Sequence, residues 1–221
     1  MRRAATTADW SEVRALRHEA LHARGDIAAG GDGEFGDIFD HAFNSQTFVL
    51  WSGAKAIGTT RTSASSAHRR WPLPVDEPFG AEIAALGAEA TLVEASLTVA
   101  DPSSAMDWKN VLFHLFKAHM LECAQEGADW LLIAVRESQI GFYRRMFNME
   151  ILSGGERYGG FTTPRVLMGL EYHAQAQLLA KRIPLIAVSA EDEREFAQTG
   201  AIAFRKPRRG AGGEPRAPAS R

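Results

Sequence analysis

IGFYRRMFNME (140–150) is the stretch on which the fold of this 221-residue chain turns. It follows DWLLIAV (129–135), an apolar run of strand length, as a strand at the centre of a sheet requires. SQIGFYRRMFN (138–148) then reads as a helix capped at Ser138. Asn148 stands where helices often end in a left-handed residue, a conformation that asparagine tolerates after glycine. A buried strand feeding a helix is the repeating step of an α/β protein.

The same alternation extends in both directions. TLVEASLTV (91–99) reads as a strand, and DWKNVLFHLFKAHMLECAQEG (107–127) as a long helix with Asp107 as cap and Gly127 as stop. That helix is apolar around much of its circumference, so it is expected to be buried. MEIL (149–152) and RVLMGLEY (165–172) are further strands, AQAQLLAKR (174–182) is a last helix, and IPLIAVS (183–189) is a short strand or an extended segment. Upstream, DWSEVRALRHEALHARG (9–25) is an amphipathic helix, with Asp9 as cap, Glu12 three residues on, and Val13, Leu16, Ala20 and Leu21 as its stripe. DIFDHAFN (37–44) is a short second helix. TFVLWS (47–52) and AKAIGTTRTS (54–63) form a hairpin around Gly53. Residues 63–90 are irregular, with three prolines in WPLPVDEPFG (71–80) and a short helix near AEIAAL (81–86). Strands and helices alternating after residue 90 demand a mixed sheet with crossover helices.

The length fits one large domain or one domain with additions. Hydrophobic content of 45% and charged content of 24% are ordinary for a soluble globular chain. Cys123 is the single cysteine, which excludes an internal disulfide. No apolar run reaches the roughly 20 residues of a membrane span, and MRRAATTADW at the start has no apolar stretch after its arginines. A cytoplasmic location is the expectation. The net charge of −2 conceals a +5 stretch at 205–221, which leaves −7 on residues 1–204. That stretch is rich in Gly, Pro, Ala and Arg and is expected to be disordered, either an arm for an acidic partner or a solvated terminus. The expected division is a catalytic unit at 1–172, a helical or extended extension at 173–204 and a basic tail at 205–221. His18 and His22 have i, i+4 spacing but no evident third ligand, so no metal site is expected. His114, His119 and Cys123 read as packed helix residues. No nucleotide fingerprint, P-loop or zinc-finger spacing appears, and nothing outside the tail points to nucleic acid.

The order of several short motifs carries a resemblance. FYRRMFNM follows an apolar strand where GCN5-related N-acetyltransferases carry a helix reading FYRRLGF or similar. LRHEAL (16–21), DIFD (37–40), GTTR (58–61), LP (73–74) and VEASLTV (93–99) precede it in a recognisable order. Over about residues 10–172 the chain thus resembles long-chain N-acyl amino acid synthases and, more distantly, N-acyl-homoserine-lactone (autoinducer) synthases. The resemblance implies the GCN5-related N-acetyltransferase fold, α/β, with a central mixed β-sheet flanked by helices. Those families carry an arginine on the first helix, Asp-x-aromatic-Asp, Gly-x-x-Arg and Glu-x-Ser-Arg. The matching positions here are Arg17, Asp37, Asp40, Arg61, Glu94 and Ser96. Leu97 stands where those families have arginine, and the tryptophan usual before the acidic pair in the homoserine-lactone family, which uses S-adenosylmethionine, is missing. Both departures favour the amino acid synthases. Tyr143 matches the position of a general acid for the leaving thiolate.

The resemblance meets the chemistry of the residues at one strand. With a period of two, Val93, Ala95, Leu97 and Val99 share an apolar face of TLVEASLTV, and Glu94, Ser96 and Thr98 share a polar one. An amine acceptor arrives protonated, and Glu94 is positioned to take its proton, or to pair with Arg61, or both. Arg61 has the fork to clamp an acceptor carboxylate, or serves as partner to Asp37, Asp40 or Glu94. Backbone amides of Leu97, Thr98 and Val99 are candidates for the donor's carbonyl and pantetheine. VADPSSAMDWKNV (99–111) contains no glycine, unlike the loops that hold the pyrophosphate of coenzyme A. Ser103 or Ser104 at a helix N-terminus suffices for the single phosphate of a phosphopantetheine arm. Trp71, Leu73, Pro74, Val75 and Phe79 in the irregular segment either cap the core or line an acyl pocket.

The expected activity is transfer of a medium or long acyl group from acyl carrier protein to the amine of an amino acid, with no permanently bound cofactor. Two alternatives remain: an acyl-CoA-dependent transferase acting on another amine, and a non-catalytic module that binds acyl groups or carrier protein.

Overall fold

The computed structural model describes residues 1–28, 31–157, 159–202 and 204; the basic stretch 205–221 lies outside them. Among the described residues, seven strands form one sheet in the order β1-β2-β3-β4-β5-β7-β6. They are β1 (Arg2–Arg3), β2 (Ser45–Ser52), β3 (Lys55–Ser65), β4 (Leu92–Ala100), β5 (Trp130–Val135), β6 (Glu150–Glu156) and β7 (Arg165–Glu171). Every pairing is antiparallel except β4 with β5. A parallel pair needs a crossover, and α3 (Trp108–Glu126) provides it.

Helices cover both faces. On one, α3, α4 (Glu137–Phe147) and α5 (Tyr172–Arg182) bury Val93, Ala95, Leu131 and Ile133 among Phe116, Met120, Tyr143 and Phe147. On the other, α1 (Thr7–Ala23) packs Val13, Leu16, Ala20 and Leu21 against Val49 and Val99. Beside α1, the segment leading into α2 (Asp76–Ala85) and the first turn of that helix lay Leu73, Val75 and Phe79 on Leu92, Leu132 and Leu167. These three are buried, so the irregular segment caps the core here, while Trp71 stays 46% exposed.

Local chemistry explains most element ends. Asp107 caps α3 through the Lys109 amide, and Gly127 ends it at φ 61°. Asn148 ends α4 at φ 53°, ψ 32°, the left-handed cap expected of it. Other expectations are corrected. Thr6, not Asp9, caps α1; Asp9 is the third residue of a capping box, bonded back to the Thr6 amide. The cap position of α4 is Arg136, not Ser138. The 183–189 segment holds a 3₁₀ turn, Pro184–Ile186, rather than a strand, because Pro184 lacks the amide a ladder needs. α2 starts five residues earlier than AEIAAL, and α6 (Ala190–Thr199) and β1 were not foreseen.

The deviation that matters most is in β4. Leu97 has φ 49°, and the β3–β4 register shifts between Thr59 and Arg61. This bulge adds one residue and reverses the alternation beyond it. Val93 and Ala95 face α3, whereas Leu97 and Val99 join the α1 cluster. Glu94 and Ser96 lie on the α1 face, but Thr98 turns to the α3 face, where it meets Thr60. The single polar face expected for Glu94, Ser96 and Thr98 is therefore split.

Candidate active site

The parallel ladder between β4 and β5 ends at the pair Ala95 and Ile133. Beyond it the two strands separate, and two cavities occupy the gap. The larger, of about 690 Å³, is walled by Ala20, Ala100, Met106, Trp108, Leu112 and Leu115 among others. Its size and apolar lining fit a small-molecule site. The smaller, of about 50 Å³, is lined by Asp26, Ser96, Leu97, Phe161 and Arg165 among others. Thr98, Val99, Gln139, Tyr143 and Arg24 line both. The cavities thus share a wall built from the bulged strand and the first turns of α4.

On the α1 face, six of the residues matched by sequence come together. Arg17, fully buried, donates from one nitrogen to both Asp40 oxygens at 2.7 and 2.8 Å, and from the other to Thr47 at 3.2 Å. Arg61 donates to both oxygens of Asp37, to Asp40 at 3.1 Å and, through Nε, to Ser96 Oγ at 3.1 Å. Asp37 also caps the 3₁₀ turn Ile38–His41, in which Asp40 is the reciprocal partner. Burial works to raise the Asp40 pKa, but Arg17 and Arg61 outweigh it and hold the carboxyl below its ordinary range. The fork of Arg61 is filled by these partners, and the Asp37 side chain, 40% exposed, forms the network's outer edge.

Glu94 sits behind this network. It is completely buried, and neither carboxylate oxygen has a hydrogen-bond partner in range. Burial pushes its pKa up to about 8, against the partial relief of Arg61 and Ser96. Glu94 does not line either cavity; Ser96, two residues on along the same strand, lines the smaller one.

On the donor side, Tyr143 projects from α4 into the shared wall, and burial raises its pKa to about 12. The loop before α3 keeps most of its amides to itself. Ser103 donates to Asp101 Oδ1, Met106 to Ser104 Oγ and Lys109 to Asp107 Oδ1, while the amides of Ser104, Asn110 and Val111 reach backbone carbonyls. Ser104 lines the larger cavity. Ser103 stands beside it, bonded by Lys55 at 2.9 Å.

Sequence reasoning missed Arg24, Asp26, Arg136, Gln139 and Arg165. Arg165 bonds Asp26 at 2.7 Å across 139 residues, and Arg136 approaches the same carboxylate at 3.4 Å. One signal was available: Arg136 directly follows the apolar run of β5, at the carboxyl end of a central strand, where α/β folds place their sites. Asp26 carried none. Among the described residues, no three His, Cys, Asp or Glu side chains group as metal ligands, and no helix is long and apolar enough to cross a membrane.

The sequence model of the family described as N-acyl amino acid synthase FeeM matches residues 12–171. A comparison with curated proteins gives no match. Among solved structures, the chain is similar to FeeM, an N-acyl amino acid synthase from uncultured soil microbes. That match has 20% identity and a TM-score of 0.67, and covers 82% of this chain and 95% of the other. The acyl-homoserine-lactone synthase LasI is similar at 14% identity and a TM-score of 0.59, over 77% and 86% of the two chains. BjaI, a CoA-dependent acyl-homoserine lactone synthase solved with SAM and isopentyl-CoA, is similar at 17% identity and a TM-score of 0.55, over 80% and 83%. At such identities the structural likeness speaks for the fold, which is the mixed sheet flanked by helices expected from the motifs.

Proposed function

The chain belongs to the N-acyl amino acid synthase FeeM family and is an N-acyltransferase; from that premise we propose that it moves a medium or long acyl group from acyl carrier protein to the amine of an amino acid. The observation that carries this reading is the pair of cavities meeting at the split between β4 and β5. The larger, apolar cavity takes the acyl-pantetheine, with backbone amides of Leu97, Thr98 and Val99 beside it and Ser103 or Ser104 towards the single phosphate. The smaller, charged cavity takes the acceptor's head group.

The chemistry follows from the residues along the shared wall. The acceptor nitrogen attacks the thioester carbonyl, and its surplus proton passes by way of Ser96 or a water to Glu94, a transfer contributing about 10²- to 10⁴-fold. With a pKa of about 8, Glu94 must first ionise, so the reaction is favoured on the alkaline side. Arg61 orients the acceptor through Ser96, which its Nε holds, while Arg17, Asp37 and Asp40 fix Arg61. On collapse the C–S bond breaks and the thiolate takes a proton from Tyr143, which stays protonated over the working range. We assign this unit to 1–172 and treat 173–204 as an extension that completes the core through Leu179, Ile186 and Phe196.

The donor assignment is supported by the glycine-free loop, whose bonded amides offer a pyrophosphate little. The CoA-dependent relative makes acyl-CoA the second reading. The test supplies the purified protein with decanoyl-carrier protein or decanoyl-CoA and a panel of amino acids, and follows N-acyl products by mass spectrometry. Product from the carrier protein at ten times the CoA rate is expected. A preference for CoA establishes the second reading, and no product from any amino acid with either donor refutes the acceptor class.

A further inference from the structure

His119 is a buried titratable group that the mechanism above does not use. It lies in α3, wholly inaccessible, and burial holds its pKa down to about 3, so the ring is neutral at any working pH. Its Nε2 lies 2.7 Å from Thr60 Oγ1, and Thr60 Oγ1 lies 2.6 Å from Thr98 Oγ1. Thr98 lines both cavities, as Tyr143 does. A line of three polar side chains therefore runs from the core to the place where the cavities meet. The bulge at Leu97 creates it, because regular alternation would have turned Thr98 to the opposite face.

The line has a direction. Nδ1 of His119 has no partner, and a buried N–H left without an acceptor is the rarer orphan, so the ring's one proton belongs on Nε2, where Thr60 accepts it. With its oxygen accepting from the ring, Thr60 gives its own proton to Thr98, the shorter of its two options; the Ser96 carbonyl lies at 3.4 Å. The Thr98 oxygen then accepts inside the protein, and its hydroxyl proton is left to point into the cavity wall. We propose that Thr98 is a catalytic residue whose hydroxyl, aimed by Thr60 and His119, donates a hydrogen bond to the thioester carbonyl oxygen as it becomes the tetrahedral oxyanion.

This deepens the acyltransfer reading and rests on it. As the C–N bond forms, the carbonyl π pair moves onto oxygen and meets the Thr98 O–H. As the pair returns, the C–S bond breaks, and the thiolate leaves with its proton. Thr98 itself neither gains nor loses one. A donor already aimed at developing charge needs no reorganisation during the step, which is why one such group is worth about 10²- to 10³-fold in turnover.

The test uses the full chain and the decanoyl donor that the wild type turns over. Thr98→Val should lower kcat about 100-fold with KM nearly constant, while Thr98→Ser, which keeps the hydroxyl, retains most activity. Thr60→Val, which removes the aiming group, should fall between them. Unchanged kcat in a folded Thr98→Val protein overturns the proposal, as does an equal loss in Thr98→Ser, which would mark a packing role. Nitrogen-15 NMR of His119 reads the direction without any turnover: the Nε2–H tautomer is expected, and Nδ1–H overturns the relay. Wild-type protein inactive with both donors would count against the acyltransfer reading and the catalytic role built on it, whereas an active wild type with an indifferent Thr98→Val would count against the role alone.

Discussion

Glu94→Gln separates what Glu94 does for the reaction from what it costs the fold. The wild-type carboxyl is ionised above an ordinary value of 4.5 in the unfolded chain, but only above about 8 in the folded one. A folded pKa raised above the unfolded value means that the folded state holds its proton more tightly. The associated stability is complete below 4.5 and is lost as the pH climbs to about 8. At about 1.4 kcal/mol per unit, the full loss is about 5 kcal/mol, of which about 3 kcal/mol falls between pH 6 and pH 9. Glutamine has nearly the same shape and does not titrate. The variant should therefore escape that last loss, while Glu122, raised to about 7 by burial, contributes equally to both proteins and cancels. Urea unfolding of both proteins at the two pH values measures it. The gap between them should widen by about 3 kcal/mol in favour of the variant on going to pH 9. A gap that stays the same at both pH values would refute the claim that Glu94 is buried with a raised pKa. The same variant should lose about 10²-fold or more in turnover, and unchanged turnover would remove Glu94 from the mechanism.

Other consequences follow from the same geometry. The wild-type rate should rise with pH through a midpoint near 8, the value to which burial brings Glu94, and a flat profile between pH 6 and 9 would point to a different base. Tyr143→Phe should slow transfer from a pantetheine thioester about 10²-fold, yet barely affect a 4-nitrothiophenyl thioester, whose thiolate needs no proton to leave; equal losses would deny Tyr143 the acid role. Arg17→Ala takes the closer guanidinium from the buried Asp40 carboxylate, leaving it Arg61 and the Asp37 amide, and should destabilise the protein by about 3–5 kcal/mol in denaturant titration. Asn148→Gly should leave stability level or higher, and Asn148→Ala should lower it by about 1 kcal/mol, because alanine meets the left-handed penalty there.

What the sequence determined by itself was whatever local periodicity and short-range capping dictate. The apolar circumference of α3, the run of β5, the left-handed end at Asn148 and the cap at Asp107 all depend on residues within a few positions of one another. Motif order grouped Arg17, Asp37, Asp40, Arg61, Glu94 and Ser96 as the residues of one site. Helix α6 escaped because Phe196 is its one buried residue, which leaves no stripe to read. Tertiary structure alone decided the site's details. A single backbone angle at Leu97 reversed the parity of β4 and sent Thr98 away from Glu94 and Ser96 towards Thr60 and His119. It also decided that Arg61 spends its fork on Asp37 and Asp40, and that Asp26 and Arg165 meet across 139 residues beside the smaller cavity. Periodicity assumes a regular strand and cannot register an inserted residue. The partner of a buried charge is set by whichever opposite charge the fold brings within about 3 Å, and separation along the chain carries no information about that.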